Sequence, residues 1–265
     1  MYDIPRSLLD QITLAHGPKK LLREYFTMAD AAAREWGLRL RLRSDFDALM
    51  ELNRDNRDSW PPLAPIFDPA HSNLRIDSAF WLEGIDDRGE TVVTESGRLF
   101  DFKDTDVVEE LRSLRIYYEN PAPHLAAGEH VEIDAPAARV VRGRTMHGGA
   151  IWVRPGWRRG GLTRIISRIC AAYALTRWNT AFTWGLIEPR LHAGGLSQAY
   201  GPHQVALGVR LKMPFRGDAP RVLIWMSSKA LLADLARAVE CTTMFSGQRD
   251  PHQEPLVTQA PPRQG

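Results

Sequence analysis

The stretch from Gly148 to Pro189 limits what this chain can fold into more than any other. Ala150 to Val153 is a short apolar run cut off by Pro155 and Gly156, the mark of a strand. Arg158, Arg159, Gly160 and Gly161 follow as a loop. From Leu162 the apolar residues Leu162, Ile165, Ile166, Ile169 and Tyr173 recur at helical spacing, with Arg164, Ser167 and Arg168 on the opposite face. Ala181 to Ile187 is a second apolar run, ended by Pro189. Strand, loop, helix and strand in this order and length form a βαβ crossover whose loop meets the helix N-terminus.

That junction suits an anion. The first turn of a helix carries unpaired N–H groups and the positive end of the dipole, and paired glycines let a ligand approach the backbone. Charge points the same way. Between Ala135 and Ile187 there is no Asp or Glu but there are nine arginines, in a chain whose net charge is only +2. A phosphate-bearing ligand is the natural reading.

The segment Val153 to Thr163, VRPGWRRGGLT, resembles the acyl-CoA motif of the GNAT N-acetyltransferase superfamily. That motif is a strand ending in V-x-P, an aromatic residue, then R/Q-x-x-G-x-G/A at a helix start. Val153, Pro155, Arg158 and Gly161 match; Thr163 stands where Gly or Ala is usual, and either crowds a pyrophosphate or donates to it. The resemblance implies an α+β fold: a GNAT-like mixed, mostly antiparallel sheet around a central βαβ unit, here with an N-terminal helical extension. It implies an acyltransferase that moves an acyl group, acetyl in the simplest case, from acetyl-CoA or another acyl-CoA to an amine. The backbone of Trp152 and Val153 would pair with the pantetheine arm. Arg158, Arg159, Gly160, Gly161, Leu162 and Thr163 would surround the pyrophosphate.

Such a reaction needs a base for the amine and, often, an acid for the leaving thiolate. In the family the acid is a tyrosine four residues before a glycine. Ser197 holds that spacing before Gly201, and Tyr200 sits immediately before the glycine, so Tyr200 is the candidate acid. Glu188, at the end of the second strand, is the candidate base, since strand ends beside a crossover are common site positions. Glu83 and Glu95 on earlier strands are equally placed, and His147 and His192 flank the unit.

Elsewhere, residues 6–36 read as helical with a break at His16-Gly17-Pro18, and Gly37 as a C-cap. Leu38 to Arg43 alternates as a strand, and Ser44 or Asp45 caps a helix through Leu52. Ser78 to Ile85 and Thr91 to Phe102 form strands joined by the turn Asp86-Asp87-Arg88-Gly89. Asn120 to Arg144 reads as long and irregular, apart from a strand with a charged face at Glu129 to Asp134. The interval from Lys103 to Arg144 is expected to border the acceptor pocket. After Pro189 come a short glycine-containing helix or turn, strands at Val205 to Met213 and Arg221 to Ser227, and a helix from Lys229. These give an N-terminal extension over 1–36, an acyltransferase-like domain over 37–245 and a disordered tail over 246–265. The extension would serve as a cover or a homodimer contact.

Two cysteines give neither a disulfide framework nor a metal set, and with no apolar leader or membrane-length run the expected setting is cytoplasmic. The expected partner is a small-molecule or protein amine acceptor, with no membrane, and with nucleic acid disfavoured. Two rivals stand beside this reading. Asp77 to Phe102 is also similar to acyl-homoserine-lactone synthases, which use S-adenosylmethionine and an acyl carrier, but their Trp-Glu-x-x-Arg run is missing. A non-catalytic module could bind nucleic acid or an acidic partner through an Arg-rich face. Hydrolase, P-loop and dinucleotide motifs are absent.

Overall fold

In the computed structural model, which describes residues 7–158, 161–214 and 217–241, the chain runs α1 (Leu8–Gln11), α2 (Lys19–Glu35), β1 (Arg39–Arg43), α3 (Phe46–Asp55), β2 (Ala79–Ile85), β3 (Thr91–Phe102), α4 (Val107–Arg112) and α5 (Ala122–Ala126). It continues through β4 (His130–Asp134), β5 (Gly143–Val153), α6 (Leu162–Trp178), β6 (Phe182–Ile187), α7 (Pro189–Ala193), α8 (Leu196–Ala199), β7 (Gln204–Met213), β8 (Gly217–Ser227) and α9 (Ser228–Glu240). The tail expected over 246–265 lies outside the described residues.

Short polar side chains set where several helices begin. Asp45 accepts from the amide of Ala48, Asp106 from those of Val108 and Glu109, and Ser227 from that of Ala230. Gly37, at φ +74°, releases the chain from α2 into β1.

One eight-stranded sheet runs in the order β1-β2-β3-β5-β6-β8-β7-β4. Among the described residues only β5 and β6 pair in parallel, joined by α6 as the crossover, so the sheet is mixed and mostly antiparallel around a βαβ unit. Asn120 to Arg144, expected to be irregular around one strand, also contains α5 and a 3-10 turn, and its strand β4 forms the far edge of the sheet beside β7.

Strand alternation splits the core in two. On β2, Phe80 and Leu82 face a cluster with α2, α6 and α9, while Ala79 and Trp81 face an aromatic cluster with α3 and the 60–67 segment. Because α6 lies between the sheet and the helices α2 and α9, both of its sides are covered. Ser167 and Arg168, expected on the face opposite the apolar stripe, are therefore inside as well: each is 4% exposed. The Arg168 Nε donates to Asp234 Oδ2 at 2.7 Å, and its Nη1 to the carbonyls of Arg164 and Ala199.

The arginines of 135–187 do not form one basic face. Arg139 and Arg142 pair with Asp106, Arg154 with Glu90, and Arg168 with Asp234. Arg144 donates to the carbonyl of Trp178, and Arg177 lies over Tyr173 and Trp178.

Candidate functional site

The strands β5 and β6 pair over three positions only, Thr145↔Phe182 to His147↔Trp184. Beyond them β5 follows β3 and β6 follows β8, so a gap opens between Gly148–Val153 and Gly185–Ile187. A β-bulge drives the parting. Between the pairs Thr94↔Trp152 and Ser96↔Gly149, β3 has the single residue Glu95 and β5 has two, with Ala150 at φ +50°. The extra residue bends the strand away. Where the strands separate they meet through glycine: a Cβ on Gly185 would stand 3.2 Å from the Gly148 carbonyl oxygen.

A cavity of about 230 Å³ fills this gap and reaches both faces of the sheet. Glu95, Ser167 and Tyr200 line it beside α6, and Phe67, His147 and Trp184 line it on the aromatic side. Glu95 is 1% exposed and accepts from Ser167 Oγ at 2.6 Å. Among the described residues no cation pairs with it, and burial pushes its carboxyl up to about 8 despite the Ser167 bond. A Cβ on Gly148 would come within 3.4 Å of Glu95 Oε1, so the glycine keeps the carboxylate open to the gap.

Tyr200 follows α8 and is held by the Ala199 carbonyl, which takes the Arg168 guanidinium at 2.7 Å. Burial, then the charges of Glu95 and Cys170, hold its phenol well above the ordinary range, so it stays protonated. His147 is buried between Phe67 (ring centroids 5.6 Å) and Trp184 (4.3 Å). Burial, and then the charge of Arg98, lower it to about 3, so the imidazole is neutral.

Glu188 lines the cavity at the start of α7, where its Oε2 accepts from Arg190 Nε at 2.7 Å. His192 bonds Ser197 Oγ at 2.8 Å. Glu83 is taken up elsewhere. Burial alone would raise its carboxyl, but hydrogen bonds from Arg41 and Thr91 and the nearby Arg43 charge hold it below the ordinary range. The structure thus gathers Glu95, Glu188, Tyr200 and His147 around one cavity and leaves Glu83 out.

At the glycine-rich loop, Gly161 is the N-cap of α6 at φ +80°, and no side chain caps the helix. Leu162 is buried in the core, so only its backbone can meet a ligand there. Thr163 is half-buried in the first turn. Arg158 is exposed and donates to the carbonyls of Val153 (2.9 Å) and Ser59 (3.0 Å). Arg159 and Gly160 lie outside the described residues. The Trp152 indole is buried away from the gap, stacked on Trp60 at 5.4 Å and donating to Ser59 Oγ. The site residues missed at the outset are Ser167 and Arg168. The signal for both was their place inside a stretch, Ile165 to Leu175, whose other residues are all apolar or aromatic.

No protein-family model and no curated protein matches the sequence. Solved structures with a similar chain path include NAA60 of Arabidopsis thaliana in complex with acetyl-CoA, at 11% identity and TM-score 0.43 over 72% of this chain and 99% of that one. Spermidine N-acetyltransferase of Vibrio cholerae in complex with CoA and spermine aligns at 13% identity and TM-score 0.41, over 74% and 98%. Ribosomal-protein-S5-alanine acetyltransferase of Vibrio fischeri aligns at 11% and 0.41, over 72% and 93%. With likeness this distant, the chemistry of the site has to carry the functional reading.

Proposed function

We propose that this protein is an acyl-CoA-dependent N-acyltransferase of the GNAT kind, acting at the gap between β5 and β6. The observation that carries the reading is Glu95: a buried acid with no cation partner among the described residues, facing the cavity across from a protonated tyrosine. Buried unpaired acids are costly, and such groups concentrate where proton transfer is needed.

In this reading the N-terminus of α6 holds the pyrophosphate through the backbone of Gly161, Leu162 and Thr163, with Arg158, Arg159 and Gly160 completing the loop. Backbone groups of β5 past His147, which no longer pair with β6, accept the pantetheine arm. The free amine attacks the thioester carbonyl, a C–N bond forms and the C–S bond breaks. Glu95 takes the proton from the amine, and Tyr200 gives one to the departing thiolate. Glu95 is the base rather than Glu188, because Glu188 is already engaged by Arg190. A base works best when its pKa lies near the operating pH, and Glu95, pushed up to about 8, comes close to it.

CoA is expected to raise the melting temperature. At ~100 times its dissociation constant, a ligand bound only by the folded state adds about 2.7 kcal/mol. Calorimetry and thermal unfolding with millimolar CoA check this, and a folded protein that shows neither heat nor shift would remove the reading. Binding should also weaken only modestly between low and high salt, whereas a nucleic-acid module would lose affinity steeply.

A further inference from the structure

The aromatic end of the cavity contains a second charge. On β8 the side chains alternate: Val222 and Ile224 pack together on one face, while Leu223 and Trp225 join the aromatic cluster. Arg221 shares the parity of Leu223 and Trp225, lines the cavity, and is only 8% exposed. Among the described residues no carboxylate lies within ion-pair distance of it. Among the described residues its one hydrogen bond runs from Nη1 to the carbonyl of the preceding Pro220, at 2.8 Å. The nearest acid in register, Glu188, lies one step past Ile187↔Val222 and is bonded to Arg190 instead. A buried guanidinium is normally paired, because desolvating a charge without a partner is expensive. An arginine fork is also suited to a carboxylate, which it grips through two parallel bonds.

We propose that Arg221 anchors a carboxylate of the acceptor, and that the acceptor is an amino acid whose apolar, ring-sized body lies against Phe67, His147, Trp184 and Trp225. This rests on the acyltransferase reading and extends it to the substrate. The amine then lies toward Glu95 and the carboxylate toward Arg221, with the ring between aromatic walls, where offset stacking rewards a flat body. A second cation on the substrate is disfavoured here. Arg221 already supplies one positive charge, Arg98 stands beside His147, and the imidazole itself stays neutral. At about 230 Å³ the cavity is smaller than the roughly 300–1,000 Å³ of drug-sized ligand sites, which suits one small molecule.

The test compares acceptors in pairs, with acetyl-CoA as donor and CoA release as readout. Phenylalanine is set against phenethylamine, and 4-(aminomethyl)benzoate against benzylamine; each pair differs by the carboxylate alone. Alanine removes the ring, and spermidine adds charge. In at least one pair, kcat/KM for the carboxylate-bearing member should be about tenfold higher or more, and alanine and spermidine should be poor. A buried polar group left unmatched discriminates at least that strongly. In Arg221→Met the preference should fall to about unity while CoA affinity keeps its value, and Arg221→Lys should restore part of the preference. Equal rates within both pairs would overturn the proposal, as would a preference that survives Arg221→Met. So would a preference for succinyl-CoA over acetyl-CoA with indifferent acceptors, which would assign Arg221 to the acyl group. Binding of the same amines is also measured by calorimetry without CoA. If CoA does not bind but the carboxylate preference does appear, the transfer reading fails and the Arg221 anchor stands.

Discussion

Replacing Glu95 by glutamine is expected to lower kcat by about 10²- to 10⁴-fold, the usual yield of a positioned general base. The protein should not be weakened by it. Glutamine keeps an oxygen for Ser167 Oγ and removes a charge that burial disfavours. The pH dependence supplies a second readout. Glu95 ordinarily titrates near 4.5 and in the fold at about 8. Its contribution to stability is therefore fully present below 4.5 and is lost as pH climbs through 8. That loss is roughly 5 kcal/mol. In Glu95→Gln it should vanish, so the variant unfolds at a higher temperature than the parent at pH 8 to 9 and at a similar one at pH 4.5. Activity within a few-fold of the parent would remove Glu95 from the mechanism. A flat pH–stability comparison would show that its carboxyl is not desolvated.

Arg168→Ala should cost a large part of the fold's stability. It strips Asp234, itself buried, of its 2.7 Å partner and leaves only the outer contact with Arg237 at 3.4 Å. Breaking a buried ion pair from one side typically costs about 3–5 kcal/mol, because the remaining charge stays in the core. Asp234→Leu combined with Arg168→Met should recover much of that loss, since two apolar groups leave nothing uncompensated. Activity should not return with it. The Ala199 carbonyl would still lack its donor, and Tyr200 would no longer be held at the cavity wall. Chemical unfolding and the acyl-transfer assay, run on both variants, separate the two effects. Full activity in the stable double variant would show that Arg168 does not position Tyr200.

The βαβ unit was legible in the sequence because its punctuation is local. Pro155 and Gly156 end β5, Gly161 opens α6, and Pro189 closes β6, each through backbone geometry that neighbours hardly alter. The polar residues of α6 were misread for the opposite reason. Helical spacing assigns a residue to a face but does not say what lies opposite, and α9, which supplies Asp234, comes much later in the chain. Glu95 was visible as one acid among several on a strand. Which acid is left facing the cavity depends on contacts made far along the chain: Arg41 and Arg43 take up Glu83, while Glu95 lines the cavity with Ser167 as its hydrogen-bond donor. Arg221 gave no local signal. Its placement needs the register of β8 against β6 and β7, which is a property of the whole sheet.

That same sheet dictates an order of assembly. The strand β4 leaves the ribosome before β5, yet its only ladder is with β7, which follows β5, α6 and β6. Since β7 is made later than β4, this ladder cannot form until β7 has emerged. Its outward residues His130, Glu132 and Asp134 are polar or charged, which discourages pairing with a wrong neighbour during the delay. Such non-local closure is slow. In pulse-labelled refolding, the amides of Val131 and Ile133 should gain protection after those of β2 and β3. The completed sheet edge is then a timer, closing only when the residues around the cavity are already in place.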